Sequence, residues 1–238
     1  PPVLCAGCPH RASFYAVKQA MKEKEAVFCG DIGCYTLGNA KPLDMTDTCL
    51  CMGADVTIAQ GLHRIEPEKV HFSFIGDSTF FASGITGVVN AVYNETDIVL
   101  IVLDNSTTAM TGHQPHPGTG VTMMDMVKKK DTNPKGEITH KISIEAVLKA
   151  IGVVSVEKVN PFELDKAIDA VKRAAQMKGV KAIIFKSPCI AVNKPKKAYT
   201  VSEKCIKFKK VINEIGCPSV TNIDVKIEIV SSLCFGCG

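Results

Sequence analysis

The chain lacks the features that would put it in a membrane or on nucleic acid. No run of 18 apolar residues occurs, so no transmembrane helix is expected. The opening PPVLCAGCPHR has none of the long apolar core of a secretory signal. The two most basic clusters, VKKK at 127–130 and KPKK at 194–197, carry no interleaved aromatics and read as solvated loop or linker. With a formal charge of only +4, nucleic acid is not an expected partner. Internal repeats and low-complexity tracts are also missing. Cysteine is absent from 52 to 188, although the chain holds eleven.

Those cysteines are what is unusual. Cys5, Cys8, Cys29, Cys34, Cys49 and Cys51 come early, and Cys189, Cys205, Cys217, Cys234 and Cys237 late. Without a secretory signal, C-x2-C pairs read more naturally as metal or cluster ligands than as disulfides. A reducing compartment, the cytoplasm, is the expected location. Cys29, Cys49 and Cys51 read as small buried residues. The 238 residues suffice for one large α/β domain with a small appendage and need no staple to hold a core.

Strand and helix patterns alternate. Helices are expected over 12–25, 52–65, 79–94, 143–152 and 161–177, and strands over 26–30, 70–75, 98–103, 153–159 and 181–187. Continuous apolar strands alternating with helices predict a doubly wound parallel sheet covered on both faces. Ligands then bind at the carboxyl ends of the strands. Asp31, Asp77, Asp104 and Ser187 all fall there, on one rim. The loop 104–122, rich in Gly and Pro, is long enough to be functional. From about Lys194 the composition shifts, dividing the chain into a domain at 1–198 and an appendage at 199–238.

The stretch FIGDSTFFASGITGVVNAVYN sets an acidic residue, Asp77, where an apolar strand turns into a helix. Ser78 or Thr79 is the expected cap, and Phe81, Ile85, Val88, Val89 and Val92 the apolar face. Asp77 itself is either a capping group or the seat of a cation that, with the helix end, binds phosphate. Strand 98–103 ends in LDNSTTAMTGHQPHPGTG, which places Asn105 beside Asp77. Carboxylate, amide and carbonyl oxygens are hard ligands suited to Mg²⁺ or Ca²⁺.

GDS followed after 25 residues by DN resembles the thiamine diphosphate motif. Together with CAGCPHRASFY, GDIGCYTLG and DTCLCMGAD, these segments resemble, over residues 1–198, the large subunits of the indolepyruvate branch of the 2-oxoacid:ferredoxin oxidoreductases. The resemblance implies Mg²⁺ on Asp77, the Asn105 side chain and the Thr107 carbonyl. It implies cofactor contacts at Gly33, Gly76, Ser78, Thr79 and Thr111, and a Met52–Gly53 turn beneath the aminopyrimidine. A Met opening a helix is otherwise usually core. His113 is a candidate acid/base or substrate contact, with loop hydrogen bonding the plainer alternative; His116 is assigned no role.

Cys5, Cys8, Cys34 and Cys189 are loop cysteines expected on the same rim, matching the set that holds a cluster in the resembled family. Four thiolates suit a [4Fe–4S] cluster, their sulfurs within roughly 7 Å of one another; tetrahedral zinc is the alternative. The tail departs from a bacterial ferredoxin repeat, C-x2-C-x2-C-x3-C-P. After Cys205 it has Phe208 and Val211 where ligands should stand, and only Cys217 survives. Cys234 and Cys237 begin a second repeat, which Cys217 would help complete, with a further ligand expected past Gly238.

The resemblance thus implies thiamine diphosphate-dependent oxidative decarboxylation of an aryl-2-oxoacid, indolepyruvate-like. Electrons would pass through iron–sulfur centres to ferredoxin, and coenzyme A would collect the acyl group. The activating Glu would come from a second domain, before Pro1 or on a partner chain, so an oligomer and an inactive isolated fragment are expected. A non-oxidative thiamine-dependent decarboxylase would not need the thiol quartet. A zinc-stabilised non-catalytic subunit would not need Asp77 and Asn105.

Overall fold

Strands β1 (Ala26–Gly30), β2 (Thr48–Cys49), β3 (Val70–Gly76), β4 (Ile98–Asp104), β5 (Ser155–Val159) and β6 (Val180–Lys186) lie parallel in one sheet. Their order is β2-β1-β3-β4-β6-β5. The computed structural model describes residues 2–122, 140–202, 211–223 and 226–238. The VKKK cluster and the Cys205–Phe208 stretch lie outside them.

The central strands β3, β4 and β6 are buried almost end to end; β4 is wholly apolar up to Asp104, while β3 also buries His71 and Ser73 and β6 buries Lys181. One face packs against α1 (Pro9–Ala20) and α6 (Leu164–Ala174), which bury Phe14, Val17, Ala167 and Val171 over Phe72, Phe74, Ile101 and Phe185. The other face packs against α2 (Ala54–Ile65), α4 (Ile85–Tyr93) and α5 (Ile144–Ile151), with Val56, Val88 and Leu148 over Ile75, Leu100 and Ile184. Both faces are covered, the expected α/β architecture.

Three details differ from the sequence reading. Helix α1 begins at Pro9 and ends at Ala20, because proline is at home in a helix's first turn, where its missing N–H is not required. The helix after β3 opens directly at α3 (Asp77–Thr79), with no side-chain cap from Ser78 or Thr79. It then passes through a π-turn, Phe80–Gly84, before α4. The extra residue per turn rotates everything beyond it, so Phe80 and Ala91 are buried while Val89 is exposed, against the expected face.

The tail forms a two-stranded antiparallel hairpin, β7 (Val220–Ile223) and β8 (Lys226–Ile229). It packs beside α1. The Arg11 guanidinium donates to the carbonyls of Ile215 at 2.7 Å, Gly216 at 2.9 Å and Leu4, and Tyr15 donates to Glu214 at 2.9 Å. Gly7, at φ 74°, leaves room for Phe235 where a Cβ would sit 2.5 Å from its side chain.

Candidate functional site

The parallel sheet sends β1, β3, β4 and β6 out at one rim, bringing Asp31, Asp77, Asn105 and Ser187 together as expected. Asp77 is nearly fully buried. Its Oδ1 accepts from Ser78 N–H at 2.8 Å, and its Oδ2 accepts from the N–H groups of Asn105 at 3.1 Å and Ser106 at 2.9 Å. Ser106 reaches this position through a left-handed backbone, φ 66°. The β4 exit loop therefore wraps the carboxylate of the neighbouring strand.

His116, to which the sequence assigned no role, sits on that carboxylate, its Nε2 3.1 Å from Asp77 Oδ2. Its Nδ1 accepts from Gly118 N–H at 3.2 Å, so the ring proton lies on Nε2, facing Asp77. Burial alone would raise the Asp77 pKa, but His116 and the backbone donors hold it below the usual carboxylate range. The adjacent Asp104 goes the other way: burial raises it, Lys186 at 2.6 Å opposes, and the Asp77 charge raises it further. Asp77 thus holds its charge at a helix start, beside an Asp104 that Lys186 partners.

The Asn105 amide is fixed from two sides. Its Oδ1 accepts from Thr107 N–H at 3.2 Å, and its Nδ2 lies 3.1 Å from Nε2 of His10. His10 is wholly buried, edge-on to Tyr35 with ring centroids 5.5 Å apart, and burial drops its pKa to about 4, so the ring is neutral. His10 stands in CAGCPHR, two residues after the C-x2-C pair. Its place in the first turn of a helix beginning at Pro9 was the signal that could have found it.

Asp31 organises the other half. Its Oδ1 accepts from Gly53 N–H at 3.0 Å; its Oδ2 accepts from the Tyr35 hydroxyl at 2.9 Å and Gly76 N–H at 3.3 Å. Gly53 is left-handed at φ 83°, and a Cβ there would sit 2.5 Å from Ser83 Oγ. This turn lifts Met52 to the rim, where it is 48% exposed rather than core. Over Gly33 and Gly76 the free room is taken by Tyr35, whose ring lies 2.5 Å and whose hydroxyl lies 2.2 Å from where those respective Cβ atoms would be. Thr79 faces the same hydroxyl at 3.3 Å.

The loop residues diverge. Thr111 is exposed and donates to Gln114 at 2.7 Å, and His113 is exposed with φ 62°. Neither is drawn onto Asp77 among the contacts described here. Cys49 and Cys51 are exposed, not buried as expected, because β2 is a two-residue edge strand; Cys29, in β1, is buried.

Cys5, Cys8, Cys34 and Cys189 lie within electrostatic reach of one another, Cys8 feeling Cys5 and Cys189, and Cys34 feeling Cys189 and Cys5. Burial raises the Cys8 thiol to about 12 and lifts Cys34 as well. Among the described residues no three His, Cys, Asp or Glu side chains close tightly enough to hold one metal ion. The tail brings Cys217, Cys234 and Cys237 together around a cavity of about 440 Å³ that Cys8 and Arg11 also line.

The family model of thiamine pyrophosphate enzymes, C-terminal TPP binding domain, matches residues 31–185. The whole chain is 42% identical to the indolepyruvate oxidoreductase subunit IorA of Archaeoglobus fulgidus, of which it spans 37%. It is 36% identical to the corresponding subunit of Thermococcus kodakarensis, spanning 38% of it. The 2-oxoglutarate:ferredoxin oxidoreductase of Magnetococcus marinus superposes with a TM-score of 0.65 at 19% identity, over 82% of this chain and 66% of that one, a likeness of fold. No helix among the described residues is long and apolar enough to cross a membrane. The chain spans less than two fifths of the length of these indolepyruvate oxidoreductase subunits, and it belongs to the thiamine pyrophosphate enzymes, whose C-terminal TPP binding domain its residues 31–185 match.

Proposed function

We propose that this chain supplies the Mg²⁺ and diphosphate half of an oxidoreductase that decarboxylates an aryl-2-oxoacid, indolepyruvate-like, and passes the electrons to ferredoxin. The observation that carries it is the buried, ionised Asp77 wrapped by the Asn105–Ser106 loop at a helix start. A buried carboxylate held in its charged form by backbone donors and His116 is a preformed hard ligand for a cation. Asp77, the Asn105 amide oxygen and the Thr107 carbonyl are hard donors that fit Mg²⁺, which would leave places for diphosphate oxygens. Gly76, Ser78 and Thr79 lie at the same strand exit, and the exposed Met52, held out by Gly53, would meet the cofactor's aminopyrimidine end. Bound there, thiamine diphosphate supplies the electron sink for loss of CO₂ from a 2-oxoacid.

What this chain's own residues do is hold and shield. Asp31 locks the Gly53 turn and the Gly76 exit to each other, so the Met52 and Asp77 sides of the site keep one spacing. The reading gives the four-thiol group an iron–sulfur cluster. A zinc ion with bonds of about 2.3 Å would draw sulfurs to roughly 4 Å from one another. What supports the cluster is that Cys5, Cys8, Cys34 and Cys189 lie within electrostatic reach of one another and that four thiolates suit its corners. Coenzyme A as acyl acceptor is supported by the Magnetococcus marinus relative, which holds coenzyme A and succinyl-CoA.

The test is anaerobic: the assembled enzyme is given indolepyruvate, phenylpyruvate, pyruvate or 2-oxoglutarate with coenzyme A and an oxidised low-potential electron acceptor. Preferential acceptor reduction with the aryl acids is expected. Equal rates with 2-oxoglutarate would remove the aryl assignment, and CO₂ release without acceptor reduction would favour a non-oxidative decarboxylase.

A further inference from the structure

We propose that His10 is a positioning residue for the cation, holding the Asn105 amide so that its oxygen, and not its nitrogen, faces the metal. This rests on the reading that Asp77 and Asn105 bind a divalent cation. An amide nitrogen only donates, and a neutral imidazole offers one accepting nitrogen. The 3.1 Å approach of Asn105 Nδ2 to His10 Nε2 is therefore an N–H···N bond, with the ring proton on Nδ1. That bond sends Oδ1 to the opposite side, where it accepts from Thr107 N–H at 3.2 Å.

A flipped amide would face Thr107 N–H with another donor. Without a metal, two bonds thus enforce the same orientation. When a cation takes Oδ1, it competes with Thr107 N–H for the oxygen's lone pairs, and the His10 bond becomes the main orienting contact. The ring is well braced for this. It is 2% exposed, set on the rigid first turn of α1 and edge-on to Tyr35, which is itself bonded to Asp31 and Ile32. Partners that orient a metal ligand typically change affinity by 10–100-fold when removed.

Mn²⁺ is the probe, its binding to the assembled enzyme in the presence of thiamine diphosphate followed by loss of the free-ion electron paramagnetic resonance signal. His10→Phe keeps a ring against Tyr35 but removes the acceptor, and is expected to weaken Mn²⁺ about 10–100-fold. His10→Gln, whose amide oxygen can accept from Nδ2, should stay within a few-fold of the parent. In an Asn105→Asp background there is no amide to orient, so His10→Phe should change affinity by no more than about twofold. If His10→Phe does not assemble, His10→Leu takes its place. An equal loss in both backgrounds, a loss with His10→Gln as large as with His10→Phe, or no loss at all overturns the proposal. Asp77→Ala binding Mn²⁺ as tightly as the parent would instead bring down the cation reading beneath it.

Discussion

The backbone N–H of Cys189 donates to the carbonyl of Asn105 at 2.9 Å. One hydrogen bond therefore joins a member of the thiol group to the residue whose side chain faces the cation seat. On the other side of the site, Cys8 precedes Pro9 and His10, whose ring meets the same Asn105 side chain. The thiols and the phosphate end of the site thus share a frame at Asn105. Under the proposed function, a centre that collects electrons next to the place where a 2-oxoacid loses CO₂ would need such proximity.

The first prediction concerns Asp77. Asp77→Ala removes the acceptor of three backbone N–H groups and the partner of His116, and with them the cation seat. Mg²⁺-dependent thiamine diphosphate binding, measured by calorimetry, should be lost while the circular dichroism spectrum stays that of a folded α/β protein. Binding equal to the parent's would reduce Asp77 to a group that tidies a helix end.

A second prediction separates iron from zinc. Anaerobically purified enzyme should carry iron and acid-labile sulfide in equal amounts, about four of each for the group of Cys5, Cys8, Cys34 and Cys189. Cys189→Ala should lower both by that amount and leave Mg²⁺ affinity within a few-fold, since the Asn105 contact runs through the Cys189 backbone. Stoichiometric zinc without sulfide would settle the matter against a cluster.

The layers of this fold were legible in the sequence because both physical signals were strong. Uninterrupted apolar strands such as IVLIVL can only be buried on two faces, and the helices between them repeat at three and four. What escaped was local. The π-turn at Phe80–Gly84 leaves no composition mark; Phe81, Ile85, Val88 and Val92 pack on the core as expected, but Val89, drawn on the same face, is exposed. Thr48–Cys49 is too short to show a period, which hid the edge and the exposure of Cys49 and Cys51. In the site, Asp77 and Asn105 were visible as strand-end residues. His10 was missed because the helix was drawn from residue 12 and not from Pro9, and His116 because a loop fold that spacing does not encode brings it to Asp77.

Third, α2 rests on a buried acid. Asp55 is fully buried, accepts from the Ser73 hydroxyl at 2.5 Å, and is driven by burial to a pKa of about 8. Below about pH 4 the folded and unfolded chains both hold this proton. As pH rises toward 8 the unfolded chain ionises first, so this group takes stability away across that window. Asp55→Asn, which keeps an oxygen for Ser73, should leave the unfolding midpoint nearly unchanged at pH 4 and stabilise the protein by roughly 5 kcal/mol at pH 8. A pH-independent difference in denaturant melts would show that Asp55 is ionised in the fold.

The last prediction concerns the face beside Met52. Ile32, Leu50, Met52 and Met110 are exposed, Leu50 at 72%, and three of them flank the Asp31–Gly53 turn in sequence. Large apolar side chains gathered beside a functional rim mark a contact surface. Under the proposed function this sheet's rim supplies the phosphate side of the cofactor's site, while the family resemblance assigns the carboxylate that activates the aminopyrimidine to a second α/β domain. The apolar rim is where such a domain would close, placing its carboxylate over Met52 and excluding water from the reacting centre. This chain alone should therefore bind cofactor weakly and give no 2-oxoacid-dependent acceptor reduction. Joined to the remainder of its oxidoreductase, Leu50→Asp should weaken association at least tenfold, as seen by sedimentation, and lower activity in step, with Mg²⁺ affinity of the isolated chain unchanged. Turnover by this 238-residue chain without any added domain would defeat the half-site reading and require an activating carboxylate within it.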